Sequence, residues 1–143
     1  VIFLINDDPV LAKKVAADGV HIGKHDFRIK EARQLLGENF IIGVSCYNQI
    51  NNATRAIAAG ADYIAFGRFF PSKTKPEAVQ ADLQLLDQAH ELFAVPIVAI
   101  GGITAENAEQ LVKHGADAVA VINYLFESDN IQAAAEAFQP LFK

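Results

Sequence analysis

Six short aliphatic or β-branched runs alternate with segments of helical periodicity along the whole chain. They are VIFLI (1–5), GVHI (19–22), FIIGV (40–44), DYIAF (62–66), PIVAI (96–100) and AVAVI (118–122). Strand followed by helix, repeated, specifies a parallel sheet covered by helices, because a parallel pair needs a crossover and the crossover is usually a helix. The intervening periodicity predicts helices over 9–17, 28–36, 49–59, 82–93, 105–114 and 129–139. Their ends carry expected signals. Asp8 is an N-cap followed by Pro9 at the first helical position, Asn48 and Thr104 are further cap candidates, and Gly37, Gly60 and Gly115 suit a left-handed helix exit. With 143 residues, 52% of them hydrophobic, the chain can bury a core, which excludes disorder and predicts one domain over residues 1–143.

Three stretches echo one another: AADGVHIG (16–23), AGADYIAFG (59–67) and HGADAVAVI (114–122) each run from helix end through small residues and Asp into a strand, which reads either as a repeated βα unit or simply as the way any tight αβ turn is made. Repeated βα units build either a (β/α)8 barrel or an open doubly wound sheet. No GxGxxG follows a strand and no Walker lysine motif occurs, so the nucleotide-binding open sheet lacks its main signature. The expectation is a TIM barrel of which this chain supplies about the last six βα units. A whole barrel takes roughly 200 residues or more, and the chain starts at Val1 without any methionine, so about two N-terminal units are expected upstream.

Composition narrows the function classes. No apolar run approaches the roughly 18 residues of a membrane span, and VIFLI is too short for a signal core, so a cytoplasmic location without membrane contact is expected. A formal net charge of −5 without a basic block argues against nucleic acid. The single cysteine, Cys46, forms no internal disulfide and reads as a small buried hydrophobe. Copies of the chain associating with one another remain compatible with all of this.

In either architecture the chemistry gathers beyond the C-terminal ends of the strands. Those positions hold Asn6-Asp7-Asp8, Gly23-Lys24-His25-Asp26, Ser45-Cys46-Tyr47-Asn48, Gly67 to Lys75, Gly101-Gly102-Ile103-Thr104 and Asn123-Tyr124, a mixture suited to phosphate and a metal. Gly101 and Gly102 would let a phosphate approach the backbone near the start of the helix after Thr104; the competing reading is a tight βα turn. Asp7 and Asp26 sit on adjacent units and could share one Mg²⁺, which takes one or two carboxylates and fills its shell with phosphate oxygens and water. Asp26 is equally well placed as a helix cap. His21 and His25 lack the helical spacing of zinc signatures, and His21 reads as a packed strand residue. In the stretch GRFFPSKTKP (67–76), Ser72, Thr74 and Lys75 offer hydroxyls and an ammonium to an anion, while Phe69 and Phe70 pack the base of the loop or flank a flat ring. The connection runs from Gly67 to about Ala81, longer than the usual two to six residues, which favours a binding role over a solvated turn.

The blocks IND (5–7), ADGVHIGKHD (17–26), IIGVS (41–45), GADYIAFGRFFPSKTKP (60–76), VPIVAIGGIT (95–104) and GADAVAVI (115–122) resemble thiamine-phosphate synthase, in register and in order across nearly the whole chain. That resemblance implies a TIM barrel that joins hydroxymethylpyrimidine pyrophosphate to thiazole phosphate, giving thiamine phosphate and pyrophosphate with Mg²⁺. It implies Asp7 and Asp26 as metal ligands and Asn6 at the pyrimidine. Ser45 and Lys75 would hold the pyrimidine pyrophosphate as the catalytic pair, with Lys75 neutralising the departing group. Ser72 and Thr74, together with Gly102, Ile122 and Asn123, would line the thiazole phosphate site. Departures exist. Ser72 stands where threonine is common, Asn123 where serine is common, and Tyr47 where the family usually carries histidine, the catalytic residue of the related thiazole tautomerase branch. A tautomerase and a non-catalytic phosphate-ligand binder are therefore the alternatives to the synthase.

Overall fold

The computed structural model describes residues 1–23, 29–71, 77 and 79–142. Its strands are β1 (Leu4–Asn6), β2 (Gly19–Ile22), β3 (Ile41–Tyr47), β4 (Tyr63–Phe66), β5 (Ile97–Ile100) and β6 (Ala118–Ala120). The helices are α1 (Pro9–Lys14), α2 (Ile29–Leu36), α3 (Ile50–Ala58), α4 (Gln84–Leu92), α5 (Ala105–Lys113), α6 (Asn123–Phe126) and α7 (Ile131–Glu136), followed by a 3₁₀ turn at Gln139–Phe142. The strands form one sheet in the order β1-β2-β3-β4-β5-β6, with every neighbouring pair parallel. A doubly wound sheet reverses its strand order at a switch point, whereas consecutive order without reversal curls toward a barrel. The architecture is a curled half-barrel of the TIM type, as the alternation of strands and helices predicts.

Lateral register sorts the side chains onto two faces. Ile42 lies beside Val20, Ile64 beside Val44, and Ile97 beside Ile64. These side chains, with Ile22, Cys46, Phe66 and Ala99, are buried against the helix layer, where Ala12, Ala32, Ala53, Ala56, Leu86, Ala89, Ala108 and Leu111 meet them. Alanines on the helix faces allow close approach to the sheet. Each buried Ile, Leu or Phe contributes about 1.5–3 kcal/mol relative to exposure. The opposite, concave face carries Gly19, His21, Gly43, Ser45, Tyr63 and Ala65, because side chains alternate along each strand.

The echoed aspartates explain themselves in this geometry. Asp18 accepts from the Phe3 N–H at 2.6 Å, Asp62 from the Ile42 N–H at 2.7 Å and Asp117 from the Ile97 N–H at 2.8 Å. In return the backbone N–H of each aspartate donates to the carbonyl of the same residue, at 2.8, 2.8 and 2.9 Å. Each Asp therefore ties the start of its own strand to the start of the preceding one. The repeat is a structural device of the αβ turns.

Local signals hold with three corrections. The Asp8 side chain caps α1 by accepting from Leu11 N, Pro9 occupies the first turn, and Gly37, Gly60 and Gly115 take φ of 86°, 106° and 97°. Thr104 caps α5 in a capping box with Asn107. The first correction is that α1 ends at Lys14 rather than 17, since Ala16 adopts φ 53° and cannot continue a helix. The second is that Gln49, not Asn48, is the N-cap of α3, without a side-chain cap bond. The strand runs on to Tyr47, which adopts φ 59°, and Asn48 is used up in the turn. The third is that the helix expected over 129–139 is α7 alone, capped by Asn130, while α6 forms separately upstream.

Candidate active site

Asp7 ends β1 in the left-handed region with φ 61°, a conformation that non-glycine residues rarely hold without support. The support is visible. Its N–H donates to the His21 carbonyl at 2.8 Å, and its Oδ1 accepts from the Gly23 N–H at 2.9 Å. Its Oδ2 accepts from the Asn6 side-chain amide at 2.6 Å. Asn6 and Asp7 thus form one exposed unit with its carboxylate held between the Gly23 N–H and the Asn6 amide, and each carboxylate oxygen retains acceptor capacity. A hard, exposed oxygen donor of this kind suits Mg²⁺. Among the described residues no group of three metal-capable side chains converges, and Asp26 lies outside them.

Ser45 stands on β3, whose residue Val44 pairs with Ile22, so Ser45 is one position beyond that pair and level with Gly23. Asp7 and Ser45 therefore flank Gly23 on neighbouring strand ends. Ser45 is also joined inward. His21 spans two partners on the concave face, with Nε2 at 2.8 Å from Ser45 Oγ and Nδ1 at 2.8 Å from Tyr63 Oη. The His21 and Tyr63 rings stack with centroids 5.6 Å apart at 29°. Gly43 makes this possible: it separates His21 from Tyr63 in the register, and a Cβ on it would fall 1.8 Å from Tyr63 Cζ. Burial raises the Tyr63 phenol pKa above its ordinary value, so the hydroxyl keeps its proton.

The loops after β4 and β5 pack on each other. Phe69 N–H donates to the Ile100 carbonyl at 3.2 Å and Phe70 N–H to the Gly101 carbonyl at 3.1 Å. Gly101 and Gly102 take φ of 95° and 65°; a Cβ would lie 2.2 Å from Arg68 Cβ in the first case and 2.2 Å from the Pro71 carbonyl in the second. Both glycines are thus required by the neighbouring loop, a reason independent of any phosphate. Asn107 pins the turn, donating to the Gly102 carbonyl at 3.1 Å and accepting from the Thr104 N–H at 2.9 Å. Beside it, Glu106 is held below the usual carboxylate range chiefly by the Thr104 hydroxyl and its own backbone N–H, with Tyr124 assisting.

The remaining sequence-predicted positions divide. Ile122 is exposed at the cap of α6, and the Asn123 amide donates to Glu127 at 2.9 Å. Phe69, in the segment that follows β4, is buried. Asp26, Ser72, Thr74 and Lys75 lie outside the described residues, as do Lys24 and His25. Sequence reasoning missed Tyr63, Gly43 and Asn107, and assigned His21 to packing alone. The signal for His21 was its odd-numbered place in an alternating strand, but its partners are 24 and 42 residues away.

The half-barrel and its polar C-terminal rim define a TIM-like α/β protein of the kind that carries its working groups beyond the strand ends. The sequence pattern described as thiamine monophosphate synthase matches residues 1–125. A thiamine-phosphate synthase of Nitrosococcus oceani is 55% identical over 139 residues, covering 97% of this chain and 64% of the relative. The corresponding protein of Nitrosomonas eutropha is 52% identical, with 97% and 66% covered. A solved thiamine phosphate pyrophosphorylase from Pyrococcus furiosus superposes with a TM-score of 0.88 at 33% identity, covering 99% of this chain and 67% of that one. The chain belongs to the thiamine monophosphate synthase family, and it spans about two thirds of the length of these relatives.

Proposed function

We propose that the protein is a Mg²⁺-dependent transferase that couples the pyrimidine pyrophosphate with thiazole phosphate, forming thiamine phosphate and releasing pyrophosphate. The observation that carries this reading is the identity of about half the residues with thiamine-phosphate synthases across 97% of the chain. In this reaction the bond between the pyrimidine methylene carbon and the pyrophosphate oxygen breaks, and a bond from that carbon to the thiazole nitrogen forms. The electron pair of the broken bond leaves with pyrophosphate. No general base is needed, so the protein's task is to stabilise charge on the leaving group and to hold the nitrogen in line.

Asn6 would contact the pyrimidine, and Ser45 would donate its hydroxyl to the pyrophosphate with Lys75. Gly102, Ile122 and Asn123, with Ser72 and Thr74, would hold the thiazole phosphate. Asp7 and Asp26 would hold Mg²⁺, and the charge such an ion would supply there is the kind that stabilises a pyrophosphate leaving group. That the Asp7 carboxylate is held in place by Gly23 and Asn6 supports this assignment. Tyr47 at the position of the tautomerase histidine favours the synthase over the tautomerase.

The test is pyrophosphate release by the complete protein, with each substrate alone, both together, and both in chelator. Release that needs both substrates and is abolished by chelator supports the reading; release from one substrate alone, or none at all, overturns it. Asp7→Asn, which keeps the shape and removes the charge, is expected to lower kcat/KM by at least about 100-fold, in the range typical of removing one preorganised electrostatic group. Wild-type turnover in that variant would remove Asp7 from the metal site.

A further inference from the structure

Both ring nitrogens of His21 are engaged inside the concave face, one by Tyr63 Oη and the other by Ser45 Oγ, each at 2.8 Å. When the imidazole is neutral it carries one donor and one acceptor, and the two contacts then run in the same direction along the chain of three side chains. In one direction Ser45 donates to Nε2 and Nδ1–H donates to Tyr63. Ser45 then has no hydrogen left for a ligand. In the other, Tyr63 O–H donates to Nδ1 and Nε2–H donates to Ser45 Oγ, and the single hydroxyl hydrogen of Ser45 is free to turn outward to the rim.

We propose that His21 is a positioning residue for Ser45, and that an anion bound at the rim selects the Nε2–H tautomer, aiming the Ser45 hydroxyl at the ligand oxygen. The chain is geometrically set for this. Gly43 leaves the gap through which Tyr63 reaches His21, the stacked rings fix the imidazole plane, and Ala65 beside Ser45 leaves the hydroxyl room on the concave face. A hydroxyl on an unrestrained rotor divides its time among three staggered orientations. One that accepts from an imidazole N–H cannot turn its hydrogen back toward the ring, so the hydrogen is confined to the remaining orientations. The identity of the anion, the pyrophosphate of the pyrimidine substrate, rests on the synthase reading above.

Two measurements on the complete protein test it. The first is a double-mutant cycle on KM for the pyrimidine pyrophosphate, with Mg²⁺ and thiazole phosphate saturating and melting temperature recorded for every variant. His21→Leu is expected to raise that KM about tenfold, in line with loss of one hydrogen bond to a charged group. In a Ser45→Ala background the same change should cost less than about twofold, because His21 acts through Ser45. His21→Gln, which returns a donor near the position of Nε2, should recover most of the loss, and the KM for thiazole phosphate should stay within about twofold throughout. Effects of His21→Leu and Ser45→Ala that simply multiply overturn the proposal, as does a His21→Leu variant that folds and retains wild-type KM.

The second measurement is ¹⁵N NMR of the His21 ring while inorganic pyrophosphate and Mg²⁺ are titrated into wild-type protein. A shift to the Nε2–H tautomer on saturation supports the proposal even where a variant fails to fold. An unchanged ring, or a shift to Nδ1–H, overturns it. If the wild type forms no thiamine phosphate yet the ring responds to pyrophosphate, the synthase reading fails while the positioning role of His21 stands. Turnover with a silent ring fails the positioning role alone.

Discussion

Cys46 shows how a single side chain is governed by its layer. It points into the interface between β3 and the helices, fully buried, and burial pushes its thiol from 9.0 up to about 12. At pH 8 only about one thiol in ten thousand is then a thiolate. Native protein is expected to resist iodoacetamide at pH 8 under conditions that alkylate the denatured chain fully, read by mass spectrometry; equal rates would place Cys46 outside the core. The sign of the linked stability follows. The fold retains a proton that the unfolded chain releases near its ordinary pKa, so stability declines as pH rises from about 9 toward 12. Its neighbour Ser45 faces the other way and meets His21. Burial of Cys46 was legible from its place in an apolar run. The Ser45 to His21 contact was not, because two residues 24 apart meet only when β2 and β3 take one particular register.

At the scale of elements, the αβ turns are held by half-buried and exposed polar links as well as by apolar packing. Arg33 on α2 donates to the carbonyls of Phe40 and Gly60 at 2.6 and 2.8 Å and pairs with Asp62 at 2.6 Å, while Asp62 also accepts from the Ile42 N–H. One carboxylate therefore serves the entry to β3 and the guanidinium that fastens α2. Asp62→Ala is expected to destabilise the fold by about 0.5–1.5 kcal/mol, the range for a typical intramolecular hydrogen bond, since the carboxylate is half exposed. Arg33→Lys should also lose stability, since an ammonium cannot reproduce the planar fork. Urea unfolding of both variants checks this, and a Asp62→Ala midpoint equal to wild type would mean that water replaces the carboxylate. The repeated small-residue–Asp signal was plain in the sequence. A role in the αβ turn was one of its two readings, but the partner was not legible, because each Asp bonds to a strand start 15 to 20 residues earlier, and only the parallel pairing brings the two together. The two glycines of the β5 loop gave a similar surprise. A tight βα turn was one reading of them, but the backbone of residues 68–71 that occupies the space above them belongs to another loop.

For the whole molecule, the order of the strands decides what lies at the margins. β1 and β6 are the two sheet edges, and next to them stand exposed Ile2, Phe3, Ile122 and Phe126. Unpaired edges flanked by apolar side chains are templates for further pairing. The 143-residue chain expressed alone is expected to self-associate in a concentration-dependent way, measured by light scattering after gel filtration. A monomer across the micromolar range would show that these edges are protected. Among the described residues no helix is long and apolar enough to cross a membrane, in keeping with the short apolar runs. The amino-acid sequence by itself determined the alternation of strand and helix, the caps at Asp8 and Thr104, the glycine exits and the chemical character of the rim, because each depends on residues within about one helical turn or one strand of each other. Only the tertiary structure decided that the sheet runs in unbroken order, that Gly43 opens the way for Tyr63 to reach His21, and that Asp7 is braced by Gly23. Those contacts join residues far apart in the chain, and the parallel register that creates them is a property of the sheet as a whole.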